Sequence, residues 1–275
     1  MSVRRILCLG QSFTGAYLAS EFPVEVRFLS RSQWDSLDGF QPDIILDTVP
    51  SVEAGGEIKN PLYRMEVESF DVPFIHISST SVYPGSEDGL LEVDELSVTG
   101  ESEKCRRRLL VEEAILKFRP DALIVRAGGL YGPGRSLPLF LAQGRGRFFE
   151  RGNEIISRIH VHDLCRIVLA AGARLAAGKG SFPGFHRDQL INAVDPNPSS
   201  VEETRVYLQE FYQKPEIREV LQKEGLQAPE EMPAPAQVSG QRLVKSRYTE
   251  SLIGRFRFPD FKAGFLDSMV RKRVG

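Results

Sequence analysis

Short apolar runs, each about one strand long, recur along the chain and alternate with segments long enough to form helices. Residues 3–9 (VRRILCL), 24–30 (VEVRFLS), 43–49 (DIILDTV), 72–79 (VPFIHISS), 121–128 (DALIVRAG) and 189–195 (QLINAVD) read as strands. Several are apolar on consecutive positions, the pattern of a strand buried on both faces. TGAYLASEF, residues 102–118 and RIHVHDLCRIVLAAGARLAAG supply helical segments, the last after a short strand. The connection between the third and fourth runs has room for a crossover helix around Pro61–Phe70. This alternation predicts an α/β chain with a parallel, doubly wound sheet covered on both faces. Further on, SSVEETRVYLQEFYQK reads as a helix capped by Ser199 or Ser200, and LQAPEEMPAPAQ as an exposed loop.

The composition removes several classes of function. The 275 residues carry a net charge of -2, so no nucleic-acid partner is expected. The basic clusters at Arg106–Arg108 and Arg271–Arg273 are short and read as solvated faces. Three cysteines, Cys8, Cys105 and Cys165, are far apart and form no CxxC pair. They read as buried thiols of a cytoplasmic protein, with no metal site expected. The apolar run after Arg4 and Arg5 is interrupted by Gly10, Gln11 and Ser12, and no run reaches ~18 residues, so neither a leader nor a membrane span is expected. A small-molecule partner is the expectation that remains. The oligomeric state is open, with a homodimer among the options.

The first turn has the layout of a phosphate site. CLGQSFTGAYLA puts Gly10 and Gly15 between strand and helix. A dinucleotide turn needs one glycine for the tight bend, one for approach of the pyrophosphate and one for helix–strand packing. Gly10 and Gly15 supply the first and third. Ser12 replaces the second, where its hydroxyl can donate to phosphate and its Cβ can crowd it. Phe13 and Thr14 complete the turn. At the end of the second strand, Ser30, Arg31 and Ser32 offer hydroxyls around a guanidinium, which suits the 2′-phosphate of NADP better than the ribose of NAD. Thr48 and Val49, at the end of the third strand, are candidates for the adenosine wall.

FIHISSTSVYPG and IVRAGGLYGPG, then RIHVHDLCRIVLAA, INAVDPNPSSVEE and FRFPDFKAGF, resemble in order the segments of the extended short-chain dehydrogenase/reductase family of nucleotide-sugar epimerases and dehydratases. The resemblance implies a Rossmann core, about 1–134 plus 161–197, with a small C-terminal substrate lobe, about 135–160 and 198–262, in one unit spanning 1–275. It also implies a serine, a tyrosine and a lysine at the nicotinamide, which Gly128, Gly129 and Leu130 would line. The serine falls on Ser79. By the spacing of UDP-galactose epimerase the tyrosine falls on Lys104 and the lysine on Arg108, so the Tyr-x-x-x-Lys pair is missing. Tyr83 matches a structural tyrosine of the family. The chain thus resembles the family's atypical subgroup.

Arg108 can hold a hydroxyl or a phosphate but cannot act as a proton reservoir. Lys104 is a base only if its surroundings disfavour its charge, and otherwise a solvated helix residue. His76 reads as a core histidine. Alternation predicts His160 and His162 on one side of a strand, with His162 in a local hydrogen bond. Three functions follow: an NADP-dependent reductase, epimerase or dehydratase with an altered acid–base group at Ser79, Lys104 and Arg108; an inactive NADP-binding regulator, redox sensor or assembly subunit; or a scaffold in which Ser12 excludes the nucleotide.

Overall fold

The computed structural model describes residues 2–30, 37, 39–49, 52–54, 57–59, 67, 69–145, 148–184, 186–238 and 240–271. Six of the apolar runs form strands: β1 (Arg5–Leu9), β2 (Glu25–Leu29), β3 (Ile44–Asp47), β4 (Phe74–Ser79), β5 (Leu123–Ala127) and β6 (Leu190–Ala193). They lie side by side as β6-β5-β4-β3-β1-β2, every pair parallel. Successive residues of a strand point to opposite faces. On β1, Ile6 and Cys8 pack with Ile44, Leu46 and Val125 under Tyr17, Leu164 and Val168. Leu7 and Leu9 pack with Ile45 and Ile124 under Ile115. Both faces are therefore core, which is why β1 reads as one apolar run rather than an alternation.

The two layers come from helices on opposite sides: α1 (Phe13–Glu21) and α3 (Val161–Ala176) on one, α2 (Glu103–Phe118) on the other. Ser102 caps α2 by accepting from the Cys105 N–H at 3.3 Å, and Glu103 and Lys117 sit at the ends that the helix dipole favours. A buried ion pair fixes α2 to the sheet. Arg126 of β5 donates from Nε and Nη2 to Glu112 at 3.0 and 2.8 Å, and Ser78 Oγ donates to the same carboxylate at 2.7 Å.

A second apolar core joins Leu208, Phe211, Ile217, Phe261 and Phe265. It is built from α4 (Val201–Phe211), α5 (Pro215–Lys223) and α6 (Phe261–Val270), and forms the C-terminal lobe. Ser200 caps α4 in a reciprocal box with Glu203. Residues 226–238 have neither helix nor strand, as their prolines predict. His160 and His162 do not share a strand: the strand Arg158–His160 ends there, and His162 lies in the first turn of α3. His160 becomes the helix cap, its Nδ1 accepting from the His162 N–H at 3.1 Å. Most of the crossover helix expected at Pro61–Phe70 lies outside the described residues. No helix among the described residues is long and apolar enough to cross a membrane.

Strand β1 has β2 on one side and β3 on the other. The chain reverses direction across the sheet here, and such a switch point opens a crevice at the strands' carboxyl ends. The common order 3-2-1-4-5-6 places two strands beyond β1 on this flank. Among the described residues only β2 occupies it.

Candidate functional site

Leu9 is in register with both Leu29 and Asp47, so Gly10, Ser30 and Thr48 leave the sheet together. Gly10 has φ +76, and a Cβ there would lie 2.8 Å from Val49 Cγ2. Both the backbone and the space demand glycine. At Gly15 a Cβ would lie 2.7 Å from Cys8 Sγ and 2.8 Å from Phe28 Cε1, so α1 sits directly on β1 and β2. Ser12 is the N-cap of α1: its Oγ accepts from the Gly15 N–H at 3.0 Å. Its side chain is thus turned into the helix end rather than across it. Ala16 N–H is taken by Ser12 O. The N–H groups of Phe13 and Thr14, the first two of the helix, have no acceptor among the described residues. Thr48 Oγ1 donates to Leu9 O at 3.3 Å and ties the end of β3 to that of β1. Beneath the turn, burial pushes the Cys8 thiol up to about 12, leaving it inert. Ser30 is half-buried; Arg31 and Ser32 lie outside the described residues. A cavity of ≈ 690 Å³ runs from Gln11, Ser12 and Phe13 along Ala16, Ala19 and Ser20 to Phe28.

Ser79 ends β4 at the same edge of the sheet, paired in register with Ala127, so Ser79 and Gly128 leave adjacent strands. Its Oγ accepts from the Ser81 N–H at 3.2 Å. Gly128 is packed against Ser157 O, which a Cβ would approach to 2.8 Å. Gly129 is exposed and Leu130 half-buried. Lys104 and Arg108 are both exposed on α2, while Cys105, Glu112 and Ile115 form its buried side. One turn separates them, about 40° apart around the axis. Lys104 lines a pocket of ≈ 250 Å³ with Ser81, Tyr83, Cys105 and Arg242; Arg108 is not part of its wall. Tyr83 is buried, donates to Asn192 Oδ1 at 2.9 Å and lies under the Arg126 guanidinium. Burial pushes its hydroxyl up. It is a structural tyrosine, as the sequence suggested.

His76 is buried with Nδ1 2.8 Å from Asp47 Oδ2, a core histidine. Cys105 and Cys165 are buried like Cys8. Sequence reasoning missed Ser81 and Arg242. Arg242 comes from the strand Gly240–Val244, which pairs with Gly89–Val93 in a stretch without any motif, so only tertiary structure brings it to Lys104. It also missed Asp195, a buried carboxyl in the core beside Arg158, which burial holds well above the usual carboxylate range.

The chain matches no family model and no curated protein sequence. Solved structures share its fold over nearly the whole length. A putative NAD-dependent epimerase/dehydratase from Methylobacillus flagellatus is 18% identical with TM-score 0.62, covering 98% of each chain. The human epimerase family protein SDR39U1 (isoform 2), solved with NADPH, is 19% identical with TM-score 0.62, covering 97% of this chain and 99% of that one. A functionally unknown conserved protein from Silicibacter pomeroyi is 19% identical with TM-score 0.58, covering 95% and 96%. At such identities the likeness is one of fold: a Rossmann-like parallel sheet with a C-terminal lobe.

Proposed function

We propose that the chain is an NAD(P)-binding protein, with NADP preferred, that acts on a sugar or carbonyl compound as a reductase, epimerase or dehydratase with an altered acid–base group. The first turn carries this reading. Gly10 bends where no side chain fits, and the Phe13 and Thr14 N–H groups, at the positive end of α1, have no acceptor among the described residues, the setting that suits a pyrophosphate. Ser12 fits as well: its oxygen accepts from the Gly15 N–H, and its hydroxyl, otherwise facing only Cys8 Sγ at 4.0 Å, can turn its proton to a phosphate. Gly10, Ser12, Phe13, Thr14 and Gly15 then hold the pyrophosphate. Ser30, Arg31 and Ser32 hold the adenosine ribose and its phosphate, with Thr48 and Val49 beside the adenine. Gly128, Gly129 and Leu130 line the nicotinamide. The solved structures of like fold that hold NAD or NADPH support the coenzyme class without deciding between the two.

A bound nicotinamide supplies hydride transfer. The chain's own contribution is polar. Ser79 Oγ, already accepting from Ser81 N–H, keeps its proton for a substrate oxygen. Arg108 holds a ribose hydroxyl or phosphate, and Lys104 brings a positive charge to the substrate side. Fluorescence of the single Trp34, three residues past Arg31, should change on titration with NADPH. Arg31→Ala should then weaken NADPH far more than NADH. A flat titration overturns the coenzyme reading, and equal loss of both coenzymes overturns the preference for NADP.

One observation favours a second reading, an inactive NADP-binding regulator, redox sensor or assembly subunit. The tyrosine at hand, Tyr83, is buried and bonded, and Lys104, where the spacing of the resemblance would put an acid–base tyrosine, is exposed. NADPH oxidation should be followed with a panel of aldehydes and nucleotide sugars. Turnover that falls in Ser79→Ala supports the enzyme; tight NADPH binding without turnover on any of them supports the sensor.

A further inference from the structure

We infer that the ≈ 250 Å³ pocket at the start of α2 is a subsite for a compact oxyanion, a carboxylate or phosphate group carried by the substrate. The inference rests on the proposed function for its setting, since Ser81 in the pocket wall donates back to Ser79. It gives that function a substrate class: an acidic sugar or carbonyl compound, held by its charged group beside Ser79.

Two cations from different parts of the chain meet here. Lys104 comes from α2 and Arg242 from the strand Gly240–Val244. The guanidinium is built into the wall: Nη1 donates to Tyr83 O and Pro84 O, in the loop that follows Ser79. The strand approaches that loop so closely that a Cβ on Gly240 would come within 2.3 Å of Ser86 O. Lys104 has no carboxylate partner among the described residues, whereas its neighbour Arg107 is already paired with Glu103 at 2.6 Å. The pocket's single acid, Glu101, is exposed at its edge. The volume lies below the range of whole small-molecule sites, roughly 300–1,000 Å³, and suits one charged substituent. An ammonium and a guanidinium are the side chains that bind such groups, one as a point charge and the other as a planar fork. On this assignment Lys104 holds the substrate and is not its base.

The test uses the full chain saturated with NADPH, so that the first turn is occupied, at constant ionic strength. Inorganic phosphate and acetate are titrated separately, and the amide resonances of Ser81, Gly85 and Lys104 are followed. Saturable shifts are expected with at least one anion, and the tighter arm identifies the group. Lys104→Gln should weaken it roughly tenfold. Glu101→Gln should tighten it roughly two- to fivefold, because a like charge at the edge is removed. Arg106→Gln, outside the pocket, should leave it unchanged. Absence of saturation, or affinities indifferent to Lys104→Gln and Glu101→Gln, overturns the inference. If NADPH moves the first-turn amides but neither anion saturates, the subsite fails and the coenzyme reading stands. If the anions show the expected pattern while NADPH moves nothing, the coenzyme reading fails and the subsite stands.

Discussion

Ser12 stands where a dinucleotide turn usually has its second glycine, and its side chain closes the end of α1 instead of crowding the bend. The two roles separate by substitution. Ser12→Ala removes the acceptor of the Gly15 N–H and should cost about 1 kcal/mol, whereas Ser12→Gly should cost only a few tenths of that. In a chain of this size the first corresponds to a fall of roughly 2–4 °C in melting temperature. NADPH affinity should be unchanged or better in Ser12→Gly. A tenfold loss there would mean that the hydroxyl, not the open bend, holds the phosphate. The two outer glycines were legible because their spacing after a strand reports a backbone requirement. The reason Gly10 cannot change was not: the 2.8 Å approach of Val49 is a tertiary contact between strands that are far apart in sequence.

Elements are held at the site by polar groups that are buried or half-buried, and two of these make measurable demands. His162 of α3 contacts Tyr17 and Phe22 at α1. Burial first, then the nearby Arg257, pushes it down to about 4, against the opposing pull of Asp163. An unfolded chain protonates this histidine below about 6.5, while the folded chain resists until about 4. Between those values the unfolded state binds more protons, so stability falls as pH falls. His162→Gln should flatten the urea midpoint in this window, and the histidine ring should titrate near 4 by NMR; a midpoint at 6.5 would refute it. On the opposite face, Glu112 joins α2 to Arg126 and Ser78, one turn beyond Arg108. Glu112→Ala leaves the buried Arg126 guanidinium uncompensated, along with Arg187, whose Nε lies 3.8 Å from the same carboxylate, and should cost about 3–5 kcal/mol in urea unfolding. The double change Glu112→Leu with Arg126→Met should recover part of that loss, since Arg187 and Ser78 still lose the carboxylate. Failure of the double change to recover would show that the pair supplies net stability rather than alignment.

At the scale of the whole molecule, the sheet was legible because its apolar runs are only one strand long and alternate with helix-length segments, which separates them from buried helices. Three features were not. The strand Arg158–His160 stops one residue before the helix begins, so alternation carried too far put His162 on a strand. Among the described residues β2 is the last strand on its flank, and no local pattern in the sequence announces where a sheet stops. The ribbon that delivers Arg242 pairs Gly89–Val93 with Gly240–Val244, segments far apart in the chain. How the lobe stays docked is likewise a long-range matter, with two candidate tethers. At the surface, Arg271 after α6 reaches Glu21 at 3.0 Å and Tyr17 at 3.3 Å. Inside, Asp163 accepts from the N–H groups of Arg257 and Phe258 at 3.0 and 2.8 Å, just before α6. An exposed ion pair is worth about 0–1 kcal/mol, whereas leaving a buried donor unsatisfied costs about 1–3 kcal/mol. Asp163 should therefore dominate. In hydrogen exchange, Asp163→Ala should speed the amides of Arg257, Phe258 and α6 while those of β1 and β3 remain slow, since local opening need not involve the central strands. Arg271→Ala should change them little. Equal loosening by the two variants would place the hold on the lobe at the surface, and loss of protection throughout the sheet would make core and lobe one cooperative unit.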